Sequence, residues 1–162
     1  NDFRFVKGGK LFGVGPSNPR VGGEAQHPQQ WSARMMFSRG GALKTYNYHQ
    51  DAKTYGEGQA VPDFAFEKNR YYRLSFHVKL NDPPTEKNGL THIYIDGKRM
   101  LEDNDLQFRK VNGEKSLIQR LLFNTFHGGD SRAWAPVNDD GSLATVHARY
   151  DNFSVYPGLV VR

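Results

Sequence analysis

The sequence predicts an all-β chain, an antiparallel β-sandwich of jelly-roll type, on three observations. Apolar residues recur with a period of two rather than the helical period in most segments that carry them. Those segments are short, and Gly, Pro, Asn and Asp clusters separate them at intervals that suit turns between strands. Helix start and stop signals are almost missing. With 162 residues and no cysteine, the chain is expected to form one domain over residues 1–162, large enough to bury a core without disulfides. The lack of cysteine also removes thiolate nucleophiles and zinc-thiolate sites from consideration, while leaving export open.

The elements follow in order. Asp2 to Val6 (DFRFV) reads as a strand, and the chain is expected to begin inside a domain whose first strands lie upstream. Gly8 to Gly23 (GGKLFGVGPSNPRVGG) is rich in Gly and Pro and reads as a long loop or a strand broken by turns. Trp31 to Gln50 (WSARMMFSRGGALKTYNYHQ) reads as a hairpin around Arg39-Gly40-Gly41. Ala60 to Phe66 (AVPDFAF) is a short edge strand, because Pro62 cannot donate to a ladder on both sides. Tyr71 to Leu80 alternates strictly, with Tyr72, Leu74, Phe76, Val78 and Leu80 inward. After the loop NDPPTEKNG, Leu90 to Ile95 and Lys98 to Phe108 continue a meander, Ser116 to His127 is a further strand, and Leu143 to Tyr156 closes the domain.

The hairpin is the informative stretch. A three-residue loop at Arg39-Gly40-Gly41 pairs Arg34 with Tyr46 and Ser32 with Tyr48, and directly opposed residues lie on one side of a sheet. One face then carries Ser32, Arg34, Lys44, Tyr46 and Tyr48, while Trp31, Ala33, Met35, Phe37 and Leu43 take the other and face the core. Taken singly, the polar residues have plain readings: an arginine in a structural ion pair, tyrosines in cross-strand packing. Lys10, between glycines and a leucine, carries no weight alone.

A net charge of +5 favours a polyanionic partner. Nucleic acid is disfavoured, since there is no Lys/Arg block and no recognition motif. No run is long enough to span a membrane. Cations scattered among aromatics and glycines suit an acidic polysaccharide.

Chemistry narrows this further. Cleaving a 4-linked uronan by β-elimination requires offsetting the uronate carboxylate, removing the C5 proton beside it, and protonating the leaving O4. Arginine matches a carboxylate with its planar fork. A phenol near a cation, or a lysine of lowered pKa, can move the protons. No water attacks the sugar, so the paired carboxylates of a hydrolase are unnecessary, and neither a metal nor another cofactor is expected.

The stretches GGKL at 8–11, WSARMMF at 31–37, TYNYH at 45–49, FNTFHGGDSRAWAP and ARYDNFSVYPG resemble polysaccharide lyase family 14 over most of the chain. That resemblance implies a β-jelly roll that depolymerises alginate or glucuronan. It matches the family's catalytic lysine to Lys10, its Ser-x-Arg to Ser32 and Arg34, and its Tyr-x-Tyr to Tyr46 and Tyr48. Arg34 and Lys10 would line the carboxylate with Ser32 adding a hydrogen bond, and either tyrosine would exchange protons, with Lys10 the alternative base. Arg20, His27, Lys44, Arg132 and Trp134 are candidates for contacting neighbouring uronates, although Trp134 also reads as a cover for the sandwich edge. His49 is expected on the core face. A secreted or periplasmic home follows from a substrate found outside cells, and a monomer is expected. The rival is a non-catalytic, lectin-like or laminin-G-like sandwich, into which LTHIYIDG at 90–97 would fit.

Overall fold

The structure, a computed structural model, describes residues 3–161. Its strands are β1 (Gly8–Gly15), β2 (Ser32–Ser38), β3 (Ala42–Tyr48), β4 (Ala60–Ala65), β5 (Leu74–Lys79), β6 (Gly89–Ile95), β7 (Lys98–Leu106) and β8 (Arg120–His127). Two antiparallel sheets form a jelly-roll sandwich, one ordered β4-β3-β2-β1-β8 and the other β5-β6-β7. Between them Leu11, Met35, Phe37, Leu43 and Val61 of the larger sheet meet Ile93, Ile95 and Leu101 of the smaller. Trp31 and Ala33 pack with Leu106 and Phe108 in a second cluster.

The β2–β3 hairpin has the predicted register, with Ser32 opposite Tyr48, Arg34 opposite Tyr46 and Met36 opposite Lys44. Its turn needs glycine, because Gly40 and Gly41 both take positive φ, 73° and 87°. β4 is the sheet edge, as Pro62 requires.

Four expectations are corrected. Phe3 to Val6 form no strand, and Asp2 lies outside the described residues; Phe3 and Phe5 are instead held by their rings against Phe37, with centroids 5.3 and 5.7 Å away. The glycine-rich segment expected to be a long loop or a strand broken by turns holds the eight-residue strand β1, bulged but paired on both sides. Leu143 to Tyr156 joins neither sheet. A lone bridge links Leu143 to Val137, and Tyr150 and Phe153 attach by ring contacts to Phe123 at 5.3 and 4.8 Å. The strand expected from Ser116 begins at Arg120, after a single helical turn at Glu114–Ser116.

The sheets are also joined by a buried polar cluster. Asp103 accepts from Thr45 Oγ1 at 2.9 Å and from Asn47 Nδ2 at 3.0 Å, and Asn47 Nδ2 also donates to Thr91 Oγ1 at 2.9 Å. Removing one member strands buried polar atoms away from water. Asn47→Leu, which keeps the volume, is expected to cost about 1–3 kcal/mol, with Tm falling about 2–4 °C per kcal/mol. Calorimetric melting checks this, and an unchanged Tm would contradict it.

Candidate active site

The face of the larger sheet turned away from the core is built from four strands. β3 supplies Lys44, Tyr46 and Tyr48, β2 supplies Arg34 and Met36, β1 supplies Lys10, and β8 supplies Asn124. The alternation of β1 is broken on purpose: its pairing slips between Lys10 and Gly13 on the β2 side, so Leu11, Phe12 and Val14 all serve the core. Gly13 returns to the polar face, where a Cβ would lie 2.2 Å from the Ala33 carbonyl oxygen and 2.8 Å from Arg34 Cγ. Glycine there makes room for the arginine stem.

Lys10, Tyr46, Tyr48 and Arg34 therefore converge. The Lys10 amine sits 3.3 Å from the centre of the Tyr46 ring and donates to Met36 Sδ at 3.6 Å. The Tyr46 and Tyr48 hydroxyls are 3.2 Å apart. Burial lowers the Lys10 pKa from 10.5 to about 7, helped by the positive charges of Arg34 and Lys44. Burial also pushes the Tyr48 phenol up, as does its hydrogen bond with Tyr46, while the Gly56 main chain and Arg34 pull the other way. Tyr48 consequently keeps its proton at neutral pH. Arg34 is 7 % exposed, its Nε is buried with no partner among the described residues, and its Nη1 donates to Asn124 Oδ1 at 3.2 Å. Burial pulls its pKa down, and Tyr48 and Tyr46 pull it back up. Such a site holds an anion-seeking fork, an amine able to be neutral near pH 7 and a pair of linked phenols.

The remaining expected residues divide. Ser32 lies on the hairpin face as expected but is fully buried, and its hydroxyl donates to the Arg20 carbonyl at 2.9 Å; it shapes the site from beneath rather than offering a hydrogen to a sugar. Arg20 is also corrected. It is fully buried, and its guanidinium donates to the carbonyls of His49 at 3.2 Å, Ala52 at 2.9 Å and Lys53. It pins the 49–53 loop and cannot reach a polymer. Lys44 joins the site, 5.8 Å over the Tyr46 ring. His27 is exposed, and its ring accepts from Gln29 N–H in its own loop. Arg132 donates to Gly141 O within its own loop. Trp134 stands beside Gly8 and the Met36 methyl, with Lys7 5.6 Å over its ring, and so walls the Lys10 end of the face. His49 is a buried packing residue near Glu57 and Asp51.

Sequence reasoning missed Asn124 and the loop around Gly56. A Cβ at Gly56 would come within 2.8 Å of the Tyr46 ring, so this loop lies directly on the tyrosine pair. The signal for Asn124 is its parity with Leu122 and Phe126 in LLFNTFH, but that carries meaning only once β8 is known to pair with β1. Among the described residues no three His, Asp or Glu side chains converge to hold a metal ion, and no helix is long and apolar enough to cross a membrane.

The family model of Polysaccharide lyase 14 matches residues 1–145. Among solved structures, the alginate lyase Aly36B is 26% identical, with a TM-score of 0.69, over 82% of this chain and 57% of that one. The marine PL-14 alginate lyase from Aplysia kurodai is 23% identical at a TM-score of 0.65 over 82% and 58%. The alginate lyase vAL-1 from Chlorella virus is 22% identical at 0.63 over 78% and 57%; these last two carry the fold alone. The chain thus spans under two thirds of the length of each. No curated protein matches it.

The lowered Lys10 pKa makes stability depend on pH with a defined sign. Below about pH 7 the folded chain must bury an ammonium, whereas from about 7 to 10.5 the unfolded chain holds the extra proton and stability rises with pH. Lys10→Met is therefore expected to raise Tm most below pH 7, the gain fading as pH climbs. Melting curves of both proteins at pH 5.5 and pH 9 test this, and an equal gain at both pH values would refute it.

Proposed function

This chain belongs to the polysaccharide lyase 14 family, and on that premise we propose that it cleaves a 4-linked uronan by β-elimination, with alginate the first substrate and glucuronan the second. One observation carries the reading. An amine whose pKa is lowered to about 7 lies 3.3 Å over a phenol ring whose hydroxyl is 3.2 Å from a second phenol, on the same face as a buried arginine with no carboxylate partner among the described residues. A binding module needs cations and aromatics but no such proton-transfer set. Alginate comes first because the similar structures are named alginate lyases.

Arg34 receives the uronate carboxylate, and its charge stabilises the enolate-like state. The neutral Lys10 amine takes the C5 proton. The C5 electron pair becomes the C4–C5 double bond, the C4–O4 bond breaks, and O4 takes a proton from Tyr46, which is more open than the nearly buried Tyr48. Tyr48 steadies the resulting phenolate through the hydroxyl–hydroxyl bond. The Lys10 ammonium over the same ring returns the proton to Tyr46, and both groups are reset. Lys10, Arg34 and Lys44 supply the positive charge this sequence needs. The protein acts as a secreted or periplasmic monomer, where polymeric uronans are found.

The test is ultraviolet absorbance during incubation with poly-mannuronate, poly-guluronate and glucuronan separately, since elimination leaves a conjugated double bond that hydrolysis does not. Absorbance is expected to rise on an alginate block. Tyr46→Phe and Tyr48→Phe should each lower turnover by about 10²–10⁴-fold, with polymer binding kept within a few-fold. Flat traces on all three polymers, with binding retained, would leave the lectin-like module standing instead.

A further inference from the structure

We propose that Asn124 is the positioning residue of this site: it holds the Arg34 guanidinium through a neutral acceptor, so that the full cationic charge is kept for the substrate carboxylate. The inference rests on the lyase reading and adds to it. Arg34 is 7 % exposed, and a cation at that depth ordinarily finds a carboxylate. Here its recorded side-chain partner is an amide, with Asn124 Oδ1 accepting from Nη1 at 3.2 Å. Asn124 is exposed on the edge strand β8, two strands away from Arg34, and shares the polar face.

The choice of amide over acid has a physical consequence. Aspartate has nearly the same shape as asparagine, and at this position its oxygen would form an ion pair with Arg34. The guanidinium would then be neutralised before substrate arrives, and an incoming uronate would have to displace a resident carboxylate. The added anion would also favour the ammonium form of Lys10. Among the described residues the charged and titratable groups facing Lys10 are Arg34 on β2 and Lys44 and Tyr46 on β3, with no anion to offset them. Asparagine leaves the arginine fixed in direction and unquenched.

Asn124→Asp and Asn124→Ala test this against wild type on the preferred uronan. A role in shape alone predicts that aspartate is the milder change. Neutral positioning predicts the reverse order. Asn124→Ala should lower kcat/KM a few-fold, while Asn124→Asp should raise KM at least tenfold and move the acid limb of the rate profile to higher pH, with Tm at or above that of wild type. Asn124→Glu provides a second anionic variant should the aspartate fold poorly. Asn124→Asp with KM within twofold of wild type and an unmoved acid limb overturns the proposal, as does alanine being the worse of the two. A wild-type chain that forms no unsaturated product from any uronan is a different outcome, and it removes the lyase reading on which this role depends.

Discussion

The register of β2 against β3 is the constraint on which the rest depends. Trp31, Ala33, Met35 and Phe37 are at most 3 % exposed in the core, and Arg34 and Met36 alternate with them on the opposite face. A slip of one residue would send the arginine between the sheets and three large apolar side chains and an alanine to the other face. At about 25 cal/mol per Å² of apolar surface, such a slip is far too costly to be populated. The same force that assembles the core therefore sets Arg34 opposite Tyr46. The alignment of the candidate site is here a by-product of burial.

The chain buries two arginines near this hairpin and treats them differently. Arg20 is surrounded by main-chain carbonyls of the 49–53 loop, so most of its donors are occupied and it acts as a loop clamp. Among the described residues Arg34 is left with an amide acceptor at Nη1, while the Nε of both arginines is buried without a partner. Packing such a cation near Lys10 and Lys44 is unfavourable for the empty protein, and it adds to the burial that chiefly lowers the Lys10 pKa. Binding an anion relieves it. Burial and like charges together thus favour an anion beside Arg34 and a neutral amine at Lys10.

Much of this was legible in the residues. The hairpin reads directly, because a strict alternation meets a double glycine and leaves one register compatible with a dry core. The edge position of β4 follows from Pro62. β1 was hidden because its glycines suggest turns, whereas the structure uses them for close approach: a Cβ at Gly9 would lie 2.1 Å from the Phe126 carbonyl oxygen. The closing segment failed in the opposite sense. Its aromatics do mark contact with the sheet, but Tyr150 and Phe153 reach it with their rings and not through a ladder. Periodicity reports where side chains go and is silent on backbone pairing. Arg20 and Arg34 could not be told apart from sequence, since their difference lies in a loop folding back on one and not on the other.

The lowered pKa of Lys10 also bears on how the protein can be handled. Near pH 7 a surface lysine is almost wholly ammonium and a poor nucleophile, whereas an amine titrating at about 7 is substantially free. Acylating labels and aldehyde-activated resins applied at neutral pH select the amine that is deprotonated, which is the one the site uses. Ordinary amine conjugation at neutral pH would therefore draw on the amine of the candidate site. The absence of cysteine supplies the remedy: one cysteine introduced on the outer surface of the β5-β6-β7 sheet would be a unique handle, oriented so that the polar face looks outward from the support.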